Sequence, residues 1–212
     1  MLRRSGIFLL SILTLASCQN KKDSETAVQE TPVAGRPIVA VVPLIDHSDH
    51  GLAWNVADEL TKGLYVSLLE KQDLYLMNHE KVSGLLKKLS RENDPFGTNL
   101  AWVKRAFAGS EFVVFTELAQ HEEVPLAAVD SAAELQIALR VRVIDLRDQK
   151  PKVILQEVLR KTEHVARPFT KANFTQVPWG DELFEISPLG MTHAQVTKEL
   201  ANRIDDYIHY TK

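Results

Sequence analysis

The hydrophobic positions of this chain change their period along its length, and each period predicts a different element. Residues 38–44 form an unbroken apolar run, as a strand buried on both faces requires. Apolar residues then recur at steps of three and four, which predicts an amphipathic helix that extends to about Lys71. The stripe of this helix consists of Ala53, Ala57, Leu60, Leu64 and Leu68.

The following segment continues the alternation of strand and helix. Residues 74–77 are short and apolar and predict a second strand. Two helical patterns follow over 82–89 and 100–107, and the sequence Asn-Asp-Pro-Phe-Gly at 93–97 separates them. We therefore expect two short helices joined by a loop.

The second half is rich in strand patterns. Residues 112–115 are apolar and begin this half, and 135–143 alternate apolar and polar side chains, which predicts one buried and one solvent-facing side. A turn at 147–152 leads to 153–162, the predicted hairpin partner. The segment 120–133 is read as a short polar insert between two of these strands.

The chain is predicted to end in a helix. Thr192 and Gln195 match a capping box, so the helix is expected to start there. Its apolar stripe is Val196, Leu200, Ile204, Tyr207 and Ile208. The element order β-α-β-α-α-β-β-β-α predicts an α/β fold, in which a mixed β-sheet is layered with helices.

The N-terminal segment carries a different kind of pattern. Arg3 and Arg4 precede a short apolar run at 7–16, and small residues then lead to Cys18, the single cysteine. This is the layout of a secretory signal, and Leu-Ala-Ser-Cys resembles a bacterial lipobox, whose cysteine receives the lipid. We predict a signal peptide over 1–17, a lipidated cysteine with a flexible tether over 18–36, and a single α/β domain over 37–212.

Composition narrows the classes of function. Without Arg3 and Arg4 the mature chain has 23 basic and 28 acidic residues and no long basic run, which argues against nucleic-acid binding. Acylation of Cys18 would leave no thiol for a disulfide, a nucleophile or a metal. The sequence contains no phosphate loop, dinucleotide fingerprint or nucleophile elbow, so no cofactor is expected.

The segment Asp46–His50 concentrates two imidazoles and two carboxylates at the end of the first strand. His47 and His50 are weak candidates for metal ligands, because the spacing fits no known metal motif and the residues suit a loop and a helix cap. His79, His121, His164, His193 and His209 are scattered among polar residues, and most are expected at the surface. Asp145 is expected to form a turn at a strand end.

The segment 167–190 has no period but is rich in proline and large aromatic residues. The aromatic residues either cap the core or form a contact surface for a partner or ligand. They are Phe169, Phe174, Trp179 and Phe184.

Three stretches resemble the group of envelope domains that includes CsgG, the amino-terminal domain of TolB, and LpoB. The first is the strand 39–44 with Asp46 and Gly51 and the helix start at 57–64. The second and third are the turn and strand at 109–114 and the long strand with its Asp turn at 139–146. A narrower resemblance is to chlamydial-type lipoproteins on this fold. These motifs are structural and imply a fold more than an activity.

The resemblance and the lipobox together imply a non-enzymatic protein of the cell envelope. It would be lipid-anchored through Cys18, in the outer membrane facing the periplasm, and would bind another envelope protein or itself, with a role in envelope biogenesis. Two alternatives stay open. One is a lipoprotein that binds a solute or small ligand under the aromatic segment, and the other is a metal-dependent hydrolase that uses the loop 46–50.

Overall fold

The computed structural model describes residues 35–87, 93–126, 132–166 and 177–211. The strands in these ranges are β1 (Ile38–Val41), β2 (Ile45–Asp46), β3 (Tyr75–Leu76), β4 (Phe112–Pro125), β5 (Ala132–Asp145) and β6 (Lys152–Ala166). The helices are α1 (Val56–Leu69), α2 (His79–Leu86), α3 (Ala101–Ala106), α4 (Glu182–Glu185) and α5 (Pro188–Tyr210). The predicted α/β class and the general order of elements are confirmed.

The strands form one mixed sheet in the order β3-β1-β4-β5-β6, with the short β2 beside β4. β1 is parallel to both β3 and β4, whereas β4, β5 and β6 form an antiparallel meander. Because β1 has strands on both edges and helices on both faces, its side chains are removed from water in both directions. Val39 and Ala40, which point to opposite faces, are both fully buried.

Helices cover the two faces of the sheet unequally. α1 and α5 cover one face and bury a large cluster that includes Val39, Phe112 and Leu139. α2 and α3 cover the other face only around β1 and the first part of β4, where a smaller cluster includes Phe107 and Phe115. Within the described residues, the far half of the β4-β5-β6 meander therefore has helices on one face only.

The segment 120–133 is not a polar insert, which corrects the sequence-based expectation. β4 continues to Pro125 and pairs with β5 back to Ala133. The ladder shifts register between Leu118 and Gln120, so one extra residue, Ala119, lies in β4. This bulge reverses the inward and outward positions of the strand, and His121 consequently points into the core opposite Ile137.

The N-cap of the last helix lies five residues before the predicted Thr192, so the capping-box prediction is wrong. Ser187 is the N-cap, and its hydroxyl accepts a hydrogen bond from the Gly190 amide at 3.0 Å. Pro188 follows in the first helical position, where its missing N–H has no cost. Thr192 instead lies within the helix and donates to the carbonyl of Pro188 at 2.6 Å.

Arg142 lies on the side of β5 that was expected to face solvent, yet it is buried. The loop 93–97 folds over it, and its guanidinium donates to the carbonyls of Pro95, Phe96 and Gly97 at 2.7–2.9 Å. The guanidinium thereby satisfies three carbonyls of the predicted breaker segment. Arg142 thus fastens the loop between α2 and α3 to the sheet.

Candidate functional site

The loop after β2 is organised by local hydrogen bonds. Asp46 accepts from both the amide and the hydroxyl of Ser48, at 2.8 and 2.7 Å, and from Nε2 of His50 at 3.0 Å. The other ring nitrogen of His50 accepts from the Leu52 amide. Burial alone would raise the pKa of Asp46, but the hydrogen bonds from Ser48 and His50 outweigh it and leave that pKa lowered.

The two histidines of this loop do not converge. His47 turns to Glu117 of β4, with Nδ1 and Oε1 3.0 Å apart, and most of its side chain is exposed. His50 faces Asp46 instead. Among the residues that the structure describes, no group of three or more His, Cys, Asp or Glu side chains is arranged to hold a metal ion.

A second set of ionisable groups lies beneath this loop, inside the core. Nδ1 of His193 in α5 donates to Oε1 of Glu59 in α1 at 2.6 Å, and its Nε2 lies 2.9 Å from Nε2 of His121 in β4. The second oxygen of Glu59 accepts from Nε1 of Trp54 at 2.7 Å. All three ionisable residues are 2–6% exposed. We call Glu59, His193 and His121 the buried triad.

The expectation that most of the remaining histidines lie at the surface is wrong for His121 and His193. Burial, followed by the proximity of His193 and His50, lowers the pKa of His121 to about 3. His121 is therefore neutral at physiological pH. The ring of His50 packs edge-on against that of His121 with centroids 5.5 Å apart, which places the loop 46–50 directly against the triad.

An open groove of about 880 Å³ runs between α1 and α5 and reaches the triad. Glu59 and His193 form part of its wall. Lys62 and Lys198 also line it, and Trp179 stands at its margin with the Lys62 ammonium 5.7 Å from its ring centre. We call this feature the α1–α5 groove.

The structure places two of the four predicted aromatic residues at this groove. Phe184 is buried and packs on the main core, with its ring 5.4 Å from that of Trp54. Trp179 is half-buried and packs against the same cluster. Both also line the groove, so capping the core and forming a contact surface are not exclusive roles here. Phe169 and Phe174 lie outside the described residues, as does Cys18.

Asp145 forms the turn expected of it. Its carboxylate accepts from the Arg147 amide at 2.9 Å and pairs with the Arg147 guanidinium at 2.6 Å. Burial opposes ionisation, but these bonds dominate and lower the pKa of Asp145. Within the described ranges, no helix has both the length and the apolar character needed to cross a bilayer.

Comparison with known proteins assigns the family. The model of the Family of unknown function (DUF7499) matches residues 25–212, and the chain belongs to this family. A search among curated proteins gave no match.

Solved structures extend the comparison to the fold. The hypothetical protein CT253 from Chlamydia trachomatis is 22% identical, with a TM-score of 0.67 over 82% of this chain and 98% of that protein. Protein XCC0632 from Xanthomonas campestris is 9% identical, with a TM-score of 0.50 over 83% and 87% of the two chains. Lipoprotein GNA1162 from Neisseria meningitidis gives 0.44 at 16% identity, over 78% and 99%. The predicted chlamydial resemblance is thus confirmed as a shared fold.

Proposed function

We propose that this protein is a lipid-anchored protein of the bacterial cell envelope whose folded domain binds another envelope protein, or a second copy of itself, without catalysing a reaction. Its membrane attachment would be the lipid on Cys18, and its contact surface the α1–α5 groove with the helix α4 at its end. We also propose that the folded domain is related to the group of CsgG, the amino-terminal domain of TolB, and LpoB, and that the protein has a role in envelope biogenesis.

One observation carries the binding role. Large apolar side chains are exposed beside the groove: Leu183 of α4 is 59% exposed, Ile186 at the C-cap of α4 is 70% exposed, and Val66 of α1 is 47% exposed while it lines the groove itself. Apolar groups gathered next to an open groove are typical of a protein contact surface, since each would be stabilised by removal from water.

The hydrolase alternative has less support. In the loop 46–50, the carboxylate of Asp46 is already hydrogen-bonded to Ser48 and His50. None of the loop residues lines the α1–α5 groove. The small-ligand alternative retains one favourable observation, the presence of Trp179 and Phe184 in the groove wall. However, the groove is open and bordered by charged residues rather than a closed apolar pocket, which favours a macromolecular partner.

Site-specific photo-crosslinking in the envelope tests the contact surface. A photoreactive residue at Ile186 should give one discrete crosslinked product, whereas the same residue at Arg105, which is exposed on α3 across the sheet, should not. Val66→Asp should abolish the product while leaving the thermal unfolding of the protein unchanged. Identical products from the Ile186 and Arg105 positions would contradict the proposed surface.

The anchor is tested separately by metabolic labelling with a radioactive fatty acid. Cys18→Ser removes the thiol that forms the thioether, so label should disappear from the protein and the chain should stay unprocessed or soluble. Label that persists in Cys18→Ser would refute the lipobox assignment. Fractionation of inner and outer membranes decides the localisation, because Gln19 after the cysteine resembles an outer-membrane sorting signal.

A further inference from the structure

The buried triad brings together ionisable side chains from three different elements of the fold. Glu59 comes from α1, His121 from β4 and His193 from the first half of α5, and all three are withdrawn from water. Such groups are rare in a core unless each is paired, because an unpaired buried charge is strongly destabilising. The pairing must therefore hold whenever the fold is closed.

The contact between the two histidines admits only one proton. Two Nε2 atoms at 2.9 Å form a hydrogen bond when one carries hydrogen and the other accepts it. The Nδ1 of His193 is already committed to Glu59 at 2.6 Å. When His193 holds that hydrogen, a further proton on Nε2 of His121 would place two N–H groups face to face, between rings that are only 2–5% exposed.

We propose that the buried triad is a proton-controlled lock, which holds the first half of α5 against α1 and β4 near neutral pH and releases it when the histidine pair takes up a second proton. Release would widen the α1–α5 groove, because Glu59 and His193 form part of its wall. The opened form would expose the histidines to water, where both can be charged.

The groups around the triad set the direction of the response. Glu59, whose two oxygens accept from His193 and Trp54, can balance one positive charge on the pair and no more, because an ionised carboxylate carries a single negative charge. From β2 and its loop, Asp46 lies near enough to favour a charge on His121, but His50 stands between them and opposes it. The groove lysines Lys62 and Lys198 add further positive charge on the open side.

The movement would be confined to the start of α5. Opening there would uncover Leu189 and Val196, which are buried in the main cluster, whereas Leu200 and Ile204, beyond Thr197, would stay packed in it. At Thr197 the two helices approach so closely that a Cβ on Gly63 of α1 would lie 3.2 Å from its hydroxyl. This contact provides a fixed point about which the first two turns of α5 can separate.

The inference does not depend on the proposed partner, and its test needs none. Amide hydrogen exchange of residues 189–196 is measured in the full-length chain in detergent, at about pH 7.5 and about pH 5.5, and corrected for the intrinsic exchange rate. We assume that one histidine stays neutral in the closed form of the protein and has its ordinary pKa of about 6.5 in the opened form. Protection against exchange should then fall roughly tenfold at the lower pH.

Matched variants separate the lock from a general effect of acid. His121→Gln keeps a hydrogen-bonding group opposite His193 but does not titrate, so its protection should change less than about twofold between the two conditions. His79→Gln, at an exposed position of α2, should behave like the parent. If His121→Gln does not fold, His121→Asn, which also carries a hydrogen-bonding amide and does not titrate, serves in the same way.

A second readout reports on the triad directly. The indole N–H of Trp54 donates to Glu59, so its NMR signal should shift between the two conditions in the parent, while that of the buried Trp102 stays constant. Protection that stays constant in the parent would overturn the proposal. Protection that falls equally in the parent and His121→Gln would also overturn it.

Discussion

Two regions of this molecule contain paired histidines and carboxylates, and they contrast in how the pairs are made. In the loop 46–50, Asp46 and His50 are four residues apart and meet at the surface of the fold. In the buried triad, Glu59 and His193 are 134 residues apart and meet in the core. The loop 46–50 has the denser cluster of ionisable residues in the sequence, yet its Asp46 and His50 form their hydrogen bonds with residues close by in the chain.

The two regions differ in which other groups could replace a hydrogen bond that is lost. In the loop, water and neighbouring backbone groups can replace any bond that is lost, so each bond adds little to stability. In the triad, the three side chains are only 2–6% exposed, and each is hydrogen-bonded to a residue of another element. The same residue types therefore serve a turn in one region and couple three elements in the other.

Removal of Glu59 should give the largest effect. Glu59→Ala leaves the Nδ1 of His193 and the indole of Trp54 without an acceptor in the core, and we expect a loss of about 3–5 kcal/mol in the free energy of unfolding. Glu59→Gln keeps one acceptor for two donors and should lose about 1–3 kcal/mol. Denaturant unfolding of the purified protein measures both.

The matched change in the loop is Asp46→Ala. Since the side chains of Asp46 and His50 are partly exposed, we expect a loss of about 1 kcal/mol or less. An Asp46→Ala loss equal to that of Glu59→Ala would remove the distinction between the two regions.

Packing of α5 below the triad provides the next largest effect. Leu200 is 1% exposed under the sheet, and Leu200→Ala should lower the free energy of unfolding by about 2–5 kcal/mol through lost burial and a cavity. Met191 lies on the same helix and is half exposed, so Met191→Ala should change stability by less than about 0.5 kcal/mol. Equal melting temperatures for Leu200→Ala and the parent would show that this helix is not held by the core.

The parts of the fold that the sequence predicts are those in which one local pattern dominates. The run at β1 predicted burial on both faces, and the stripe through Leu200 and Ile204 predicted the final helix, because both depend only on periodicity. The start of that helix was misplaced because Ser187 with Pro188 competes with Thr192 as a start signal. Arg142 was misplaced because its partners are carbonyls 45 to 47 residues away.

The site was predictable only in part. His193 lies on the buried stripe of α5, four residues after Leu189 and three before Val196, so the helical period contained a signal for its burial. His121 gave no such signal, because the bulge at Ala119 reverses the strand alternation and is visible only in the pairing with β5. Their meeting with Glu59 depends on tertiary packing, which periodicity does not encode.

Acid should weaken the whole fold in a window set by His121. The pKa of His121 is lowered to about 3 in the folded protein, so the unfolded chain binds the extra proton first, below its ordinary value of about 6.5. Stability is thus fully present above about pH 6.5 and falls as the pH decreases towards 3, by up to about 1.4 kcal/mol per pH unit. Denaturant unfolding at successive pH values measures the slope.

The carboxylates titrate in a lower window and can be separated from the histidine. The lowered pKa values of Asp46 and Asp145 mean that their contributions are present above about pH 4 and are lost only below it. Between about pH 6.5 and 4.5, His121→Gln should therefore show a shallower slope than the parent. His47→Gln, in the exposed loop, should leave the slope unchanged, and an equal reduction by both variants would assign the slope to histidines in general.

The smallest expected effect concerns metal ions at the loop 46–50. A site that used His47 and His50 would need both imidazoles neutral and directed at one point, and bound metal would raise the melting temperature by mass action. Because His47 faces Glu117 and His50 faces Asp46, we expect zinc, manganese or calcium to leave the unfolding curve unchanged. The double variant His47→Ala/His50→Ala should likewise unfold within about 1 kcal/mol of the parent. A metal-dependent rise in melting temperature that this double variant abolishes would restore the hydrolase alternative, because it would show that the loop rearranges to bring both histidines to one ion.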